Sequence, residues 1–211
     1  VIASVTSRSE QDPSDRALVQ AARQGQVRAL ERLLDRHQSR VLRILRYLGI
    51  PGQDREDVAQ EVFIRVFRHL KGFRTGQEFG GWLYRVTVNA AHDYRGRRGR
   101  LARGEAPWTE GVEHEDPRPG PVESTQGREL RRALEEALGL LSDRERTIFV
   151  LREIEGLESR AVARALGITA VTVRRHLSRA RRRLRSALGT EKEDQVAASI
   201  ERIAADGGSH E

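Results

Sequence analysis

The chain has no cysteine among its 211 residues, which removes disulfides, thiolate zinc sites and thiol sensing from the chemistry open to it. No apolar run approaches the length that crosses a bilayer, and the opening VIASVTSRSEQDPSD has no signal-peptide core,. A soluble, cytoplasmic protein with no membrane contact of its own is therefore expected. Lysine is nearly missing as well: Lys71 and Lys192 are the only two among 38 basic residues. No histidine stands at metal-ligand spacing, and two carboxylates on one helix make a weak cage, so neither metal nor cofactor is expected. A serine or tyrosine nucleophile set in a dedicated catalytic domain is also not found, and the chain is read as a non-enzyme.

What is present is positive charge. The net charge is +7, a balance that favours a polyanionic partner. The preference for arginine over lysine carries no weight by itself, because a GC-rich genome produces the same bias. The charge is unevenly spread. Residues 101–127 hold six acids against two arginines, a net −4, together with Pro107, Pro117, Pro119 and Pro121. Without apolar periodicity, that stretch reads as an acidic, extended linker. The chain thus divides into a disordered N-terminus (1–13), a first domain (14–98), the linker (99–127), a second domain (128–188) and a tail (189–211) in which VAASIERIAAD can form a short helix.

The sharpest signal lies in the second domain, LESRAVARALGITAVTVRRHLSRARRRLRSAL over 157–188. A short helix with Ala161, Val162, Ala165 and Leu166 inward ends at Gly167, a residue suited to a left-handed turn. Thr169 is placed to cap a second helix in which Val173 and Leu177 face the core. Val171, Thr172, Arg174, Arg175 and Ser178 then face outward. Seven arginines fall between Arg174 and Arg185 with no acid among them, whereas a merely solvated face mixes its charges. The layout is a helix-turn-helix whose second helix reads a DNA major groove.

The first domain reads as four helices. Ser14 or Asp12 can cap the first, which runs to Arg23. Gln26–Leu48 carries Val27, Leu30, Leu33, Leu34, Val41, Ile44, Leu45 and Leu48 at helical spacing,. Gly49-Ile50-Pro51-Gly52 breaks it. The third helix starts near Asp54, with Asp57 placed as the acidic half of a capping box, and buries Val58, Val62, Phe63, Val66 and Leu70. The fourth runs from Gly81 to Arg98. Asp57, Gln60 and Glu61 form a carboxylate-amide face on the third helix, for which dipole complementation is the plain account. On the fourth, Trp82, Val86, Asn89 and Asp93 make one stripe, with Phe79, Trp82, Tyr84 and Tyr94 interleaved among Arg85, Arg95, Arg97, Arg98 and Arg100. Aromatic faces beside arginines suit a platform for single-stranded nucleic acid.

In order and spacing these pieces resemble the extracytoplasmic-function (ECF) sigma factors, two-domain initiation factors of bacterial transcription. The family's D-x-x-Q-E-V-F is matched by Asp57, Gln60, Glu61, Val62 and Phe63. Its Phe-Arg loop is matched by Phe73-Arg74, and W-L-x-R-x-x-x-N-x-x-x-D by Trp82, Leu83, Arg85, Asn89 and Asp93. In the second domain Leu141, Arg144, Arg146, Leu151, Arg152, Gly156 and Leu157 match the run before the helix-turn-helix. The resemblance implies an all-α fold, sigma region 2 and sigma region 4 joined by the linker, that binds core RNA polymerase. Its partners would be that polymerase, promoter DNA both as duplex and as melted single strand, and an anti-sigma factor. By the resemblance, Asp57, Gln60, Glu61, Phe63 and Arg65 bind polymerase. Phe73, Arg74, Phe79, Trp82, Arg85, Asn89, Asp93, Arg95, Arg97 and Arg98 meet the −10 element. Thr169, Val171, Thr172, Arg174, Arg175, Ser178, Arg179 and Arg182 meet the −35 element.

The chain departs from the family at Glu158, where a Ser or Thr often caps the first helix of the helix-turn-helix. Ser159 would then take over and shift that start by a residue. Gly80-Gly81 also makes the approach to the fourth helix permissive. The rival reading is a stand-alone LuxR-like helix-turn-helix regulator, which shares a similar second domain but has no need of the 54–98 surface.

Overall fold

The computed structural model describes residues 12–73, 78–102 and 125–207. They form helices α1 (Asp15–Arg23), α2 (Val27–Tyr47), α3 (Gly52–His69), α4 (Phe79–Ala102), α5 (Thr125–Gly139), α6 (Asp143–Phe149), α7 (Ser159–Leu166) and α8 (Ala170–Gly207). A 3-10 turn, Leu70–Gly72, follows α3, and α6 runs into a π-helical turn, Val150–Ile154. No strand occurs among the described residues. The acidic stretch from 103 to 124, residues 1–11 and Arg74 lie outside them.

Apolar periodicity accounts for the first four helices. α2 buries Leu33, Val41, Ile44 and Leu45 on one stripe, with Leu48 just beyond its end. Each such side chain contributes about 1.5–3 kcal/mol. Gln26 makes no side-chain cap at its start, a loss of about 1 kcal/mol, which the buried stripe outweighs several-fold. Ser14 caps α1 by accepting from the Ala17 amide at 3.3 Å. Asp12 and Pro13, expected in a disordered N-terminus, are tied to α2: Asp12 pairs with Arg32 and Arg36, and the Pro13 carbonyl accepts from Arg36.

Two helix starts differ from expectation. α3 begins at Gly52 after Pro51, with no side-chain cap, so Asp57 lies in its second turn and closes no capping box. Proline's fixed φ sets the entry there instead. α7 begins at Ser159 with Glu158 as an N-cap that makes no side-chain bond, so Ser159 does not take over the cap. A capping box does form at α6: Ser142 Oγ accepts from the Glu145 amide, and Glu145 accepts from the Ser142 amide.

The second unit packs α5 along α8 and closes α6 and α7 over α8. Leu134, Leu138, Ile148, Leu151, Val162, Val173 and Ala180 are buried there. α8 does not stop at Gly189. It continues as one 38-residue helix, with Val196 buried and Ile200 and Ile203 packed on the core. A single glycine costs a helix only about 1 kcal/mol, less than Val196 alone returns by burial.

The two units touch. α4 packs on α7, and α2 meets α5. Gly49, at φ +82°, sits against the Arg146 guanidinium, where a Cβ would collide with it.

Candidate nucleic-acid interface

The turn before α8 is built as the sequence predicts. Gly167 adopts φ +65°, the Ile168 amide donates to Ala163 O at 3.0 Å, and Thr169 Oγ1 accepts from the Thr172 amide at 3.1 Å. Val173, Leu177, Ala180 and Leu184 are buried at spacings of four, three and four. The opposite side therefore faces out: Val171, Arg174, Arg175, Ser178, Arg179 and Arg182 are all exposed. Arg181 and Arg183 are used internally, bonding Glu153 at 2.9 Å and Glu145 at 3.1 Å, which ties α8 to the preceding α6 and π turn. Arg174, Arg175, Arg179 and Arg182 form no salt bridge among the described residues, leaving a cationic face about three turns long.

On α3, Asp57, Gln60, Ile64 and Phe67 are exposed at spacings of three, four and three, one continuous stripe. Phe67 is 66% exposed. Ile64 and Phe67 were not singled out by the sequence, where Val58, Val62, Phe63, Val66 and Leu70 carry the apolar period. Val58, Val62 and Val66 already fill the inward face, so the remaining apolar pair is forced outward. Phe63 is half-buried against the core. Glu61 and Arg65 bond each other at 2.8 Å, and Arg65 reaches on to Asp93 of α4 at 2.7 Å. The Glu61 hydrogen bond, and then Asp93, raise the Arg65 pKa, keeping this bridge charged.

The aromatic platform on α4 is narrower than the sequence suggests. Phe73 and Phe79 are buried, with ring centroids 5.2 and 5.8 Å from half-buried Trp82. Phe79 in turn lies 5.2 Å from the His37 ring, and His37 Nε2 is 2.7 Å from Asp15. The segment 74–77 is thus flanked by two aromatics that the core holds. Tyr84 is buried with its hydroxyl donating to Glu155, and Tyr94 donates to Asp54. Tyr84 thus presents no free face, and Tyr94 is half-buried with its hydroxyl engaged. Asn89 and Val86 line a cleft of about 380 Å³ with Glu61, Arg65, Arg68 and His69.

Several predicted DNA-binding arginines are engaged within the molecule. Arg85 donates from Nε to Ala165 O at 3.0 Å and from Nη2 to Arg164 O at 2.7 Å. It caps the open carbonyl end of α7, where a cation is favoured. Arg95 donates to Leu48 O and Asp143, and Arg98 to Asp54 and Tyr94. Arg97 is exposed. The seam between the units centres on Glu155, whose side chain is 1% exposed. Arg43 grips it with two hydrogen bonds of 3.0 and 3.1 Å, with Arg40 at 3.7 Å and Tyr84 at 3.3 Å. Burial pulls the Arg43 pKa down, but the Glu155 hydrogen bond and charge outweigh it and leave the pKa raised.

Among the described residues no cluster of three or more histidines and carboxylates could hold a metal, and no helix is long and apolar enough to cross a membrane.

Comparison with known proteins agrees with this geometry. Residues 33–101 match the family described as Sigma-70 region 2, and residues 131–184 match Sigma-70, region 4. The chain is 33% identical over 175 residues to the ECF RNA polymerase sigma-E factor of Haemophilus influenzae, covering 80% of this chain and 92% of that one. It is 37% identical over 161 residues to the ECF RNA polymerase sigma factor SigE of Mycolicibacterium smegmatis, covering 75% of this chain but only 61% of that relative. The sigma factor CnrH of Cupriavidus metallidurans is 30% identical over 189 residues, with 86% and 98% covered. A solved structure of CnrH in complex with the cytosolic domain of CnrY superposes with a TM-score of 0.60 at 28% identity, covering 82% of this chain and 96% of that one.

Proposed function

This chain belongs to the ECF-type sigma factors of the sigma-70 family, the promoter-specificity subunits of bacterial RNA polymerase, and from that premise we propose how its surfaces divide the work. The unit 14–98 binds core polymerase and the −10 element; the unit 128–188 binds the −35 element. Asp57, Gln60 and Glu61 meet polymerase together with Phe63 and Arg65, joined by Ile64 and Phe67. An apolar pair beside a carboxylate and an amide suits a protein partner, since interface cores take apolar and aromatic side chains and their rims polar ones.

The −10 element is met by Arg74, Trp82, Arg85, Asn89, Asp93, Arg95, Arg97 and Arg98, with buried Phe73 and Phe79 packed behind Trp82. Trp82 and the cleft beside Asn89 offer the stacking surface and polar edge that an unpaired base requires. Thr169, Val171, Thr172, Arg174, Arg175, Ser178, Arg179 and Arg182 face the −35 duplex in the major groove. The protein acts by binding and positioning, with no chemistry of its own, in the cytoplasm. An anti-sigma factor is a further partner; the related CnrH is found in complex with the cytosolic domain of CnrY.

The observation that carries this reading is one chain holding both the exposed Asp57–Phe67 stripe and the cationic face of α8. A stand-alone regulator needs the second alone. Run-off transcription tests it, using bacterial core polymerase with and without the protein on the fragment upstream of its own gene. A discrete transcript that requires the protein is the expected result. DNA binding that needs no polymerase, with no transcript, would replace this reading with the stand-alone regulator.

A further inference from the structure

Val171 is 65% exposed at the second position of α8, and packing does not explain it. It heads a stripe that continues through Arg175, Ser178 and Arg182 at spacings of four, three and four, all exposed. Every other member of that stripe is polar or cationic. A β-branched residue is a poor choice for an exposed helical site, because it loses side-chain freedom that alanine does not have to lose. Its stiffness also means that its methyl groups point in one fixed direction.

The surrounding turn is rigid. Thr169 Oγ1 accepts from the Thr172 amide and lies 2.9 Å from Thr172 Oγ1, so both hydroxyls flanking Val171 are occupied within the helix start. The valine is the one unengaged apolar group where the first turn would enter the groove.

In the major groove the bases present acceptors, amino donors and one apolar group, the thymine C5-methyl. The first residues of a recognition helix are those that reach base edges. We propose that Val171 is a specificity determinant, selecting a thymine at one position of the −35 element by packing its methyl groups on the C5-methyl. This rests on the assignment of α8 to the −35 duplex and adds which base one side chain reads and by what contact.

Deoxyuridine pairs as thymine does but lacks the methyl, so it isolates the contact. The holoenzyme, full-length protein on core polymerase, is used to select upstream elements from a library randomised over the −35 region. The best duplex is then remade with each thymine replaced singly by deoxyuridine. At one position the wild-type holoenzyme is expected to bind about three- to tenfold more weakly, the worth of roughly one buried methyl group. The Val171→Ala holoenzyme should bind thymine and deoxyuridine there alike, while Val171→Ile keeps the discrimination. A selected element at which no deoxyuridine weakens binding overturns the proposal and leaves the sigma reading standing. So does an equal penalty in Val171→Ala, which would assign the methyl contact elsewhere. Selection of no upstream element at all overturns the assignment of α8, and the thymine contact with it.

Discussion

Replacing Glu155 with alanine should loosen the seam between the two helical units by an amount the geometry sets. The −10 and −35 elements lie about 25 base pairs apart, roughly 85 Å at about 3.4 Å per pair. A compact chain of 211 residues has a radius of gyration of only about 17 Å. On the proposed division of the two elements between the units, those that touch through α4 and α7 part when both elements are bound. Glu155 is the strongest point of that contact, with a bidentate Arg43, a nearby Arg40 and the Tyr84 hydroxyl around a side chain that is 1% exposed. Removing one partner of such a buried pair costs about 3–5 kcal/mol when the other charge stays buried. Here Arg43 and Arg40 are 24% and 33% exposed and regain water as the units separate, so about 2 kcal/mol is the reasonable figure. That is roughly a thirtyfold shift towards the parted form.

The absence of native cysteine makes the assay direct. Glu31→Cys on α2 and Ala197→Cys on α8, both exposed positions, take a donor and acceptor dye for single-molecule energy transfer. Wild type should be mostly high-transfer. Glu155→Ala should add a low-transfer population, and salt should enlarge it only modestly, because buried pairs are screened less than exposed ones. Identical populations in wild type and Glu155→Ala would refute the idea that this carboxylate holds the units together.

Phe67→Asp should weaken core-polymerase binding at least tenfold with little change in Tm, since the side chain is already in water; titration of labelled protein into core polymerase measures it, and unchanged affinity removes the stripe from the docking surface. Reversing Arg174 and Arg175 to glutamate should abolish protection of the −35 element in a footprint, and a normal footprint would take the recognition role from α8. Trp82→Ala should impair promoter opening, read by permanganate reactivity, more than closed-complex binding; equal loss of both would make Trp82 only a packing partner of Phe73 and Phe79. Asp15 has its carboxyl held below the usual range by the His37 hydrogen bond, against burial, with Arg36 adding to the depression. The stabilisation is present above the ordinary aspartate value and is lost as pH falls through the depressed one. Acid unfolding of Asp15→Asn should converge with wild type at the acid end, and a constant gap at all pH values would contradict it.

Much of this was legible in the chain. The bounds of α2 follow from its apolar period, and the turn at Gly167 and Thr169 from glycine's tolerance of a left-handed backbone and threonine's capping hydroxyl. What was hidden had no periodic signature. Glu155 lies 112 residues from Arg43, and a single acid after a helix looks like any solvated charge. Tyr84 and Tyr94 read as stacking faces because sequence gives a ring but not its orientation; the core and Asp54 claim them. Ile64 and Phe67 drew no assignment, since Val58, Val62, Phe63, Val66 and Leu70 already account for the apolar period of that helix. The tail 189–211 was expected to hold a separate short helix, yet α8 runs on through Gly189 with Val196, Ile200 and Ile203 packed on the core.

The same seam explains why predicted DNA arginines are found bonded to protein. Arg85 occupies the carbonyl end of α7, and Arg95 bonds Leu48 O at 3.1 Å, where Arg146 also donates at 3.4 Å. Burial first, and then the charge of Arg95, lower the Arg146 pKa; burial lowers that of Arg95 too. Two like charges share one carbonyl in a half-buried seam, set against the Asp143 carboxylate that bonds Arg95 across it. If the units part on a promoter, Arg85 and Arg95 exchange protein carbonyls and a carboxylate for phosphates, so the cost of opening is offset by the contacts that opening makes available. Arg85→Ala should therefore do two things at once, loosening the closed form in the energy-transfer assay and weakening −10 binding by the holoenzyme. A variant that did only the first would show that Arg85 serves the seam and never reaches DNA.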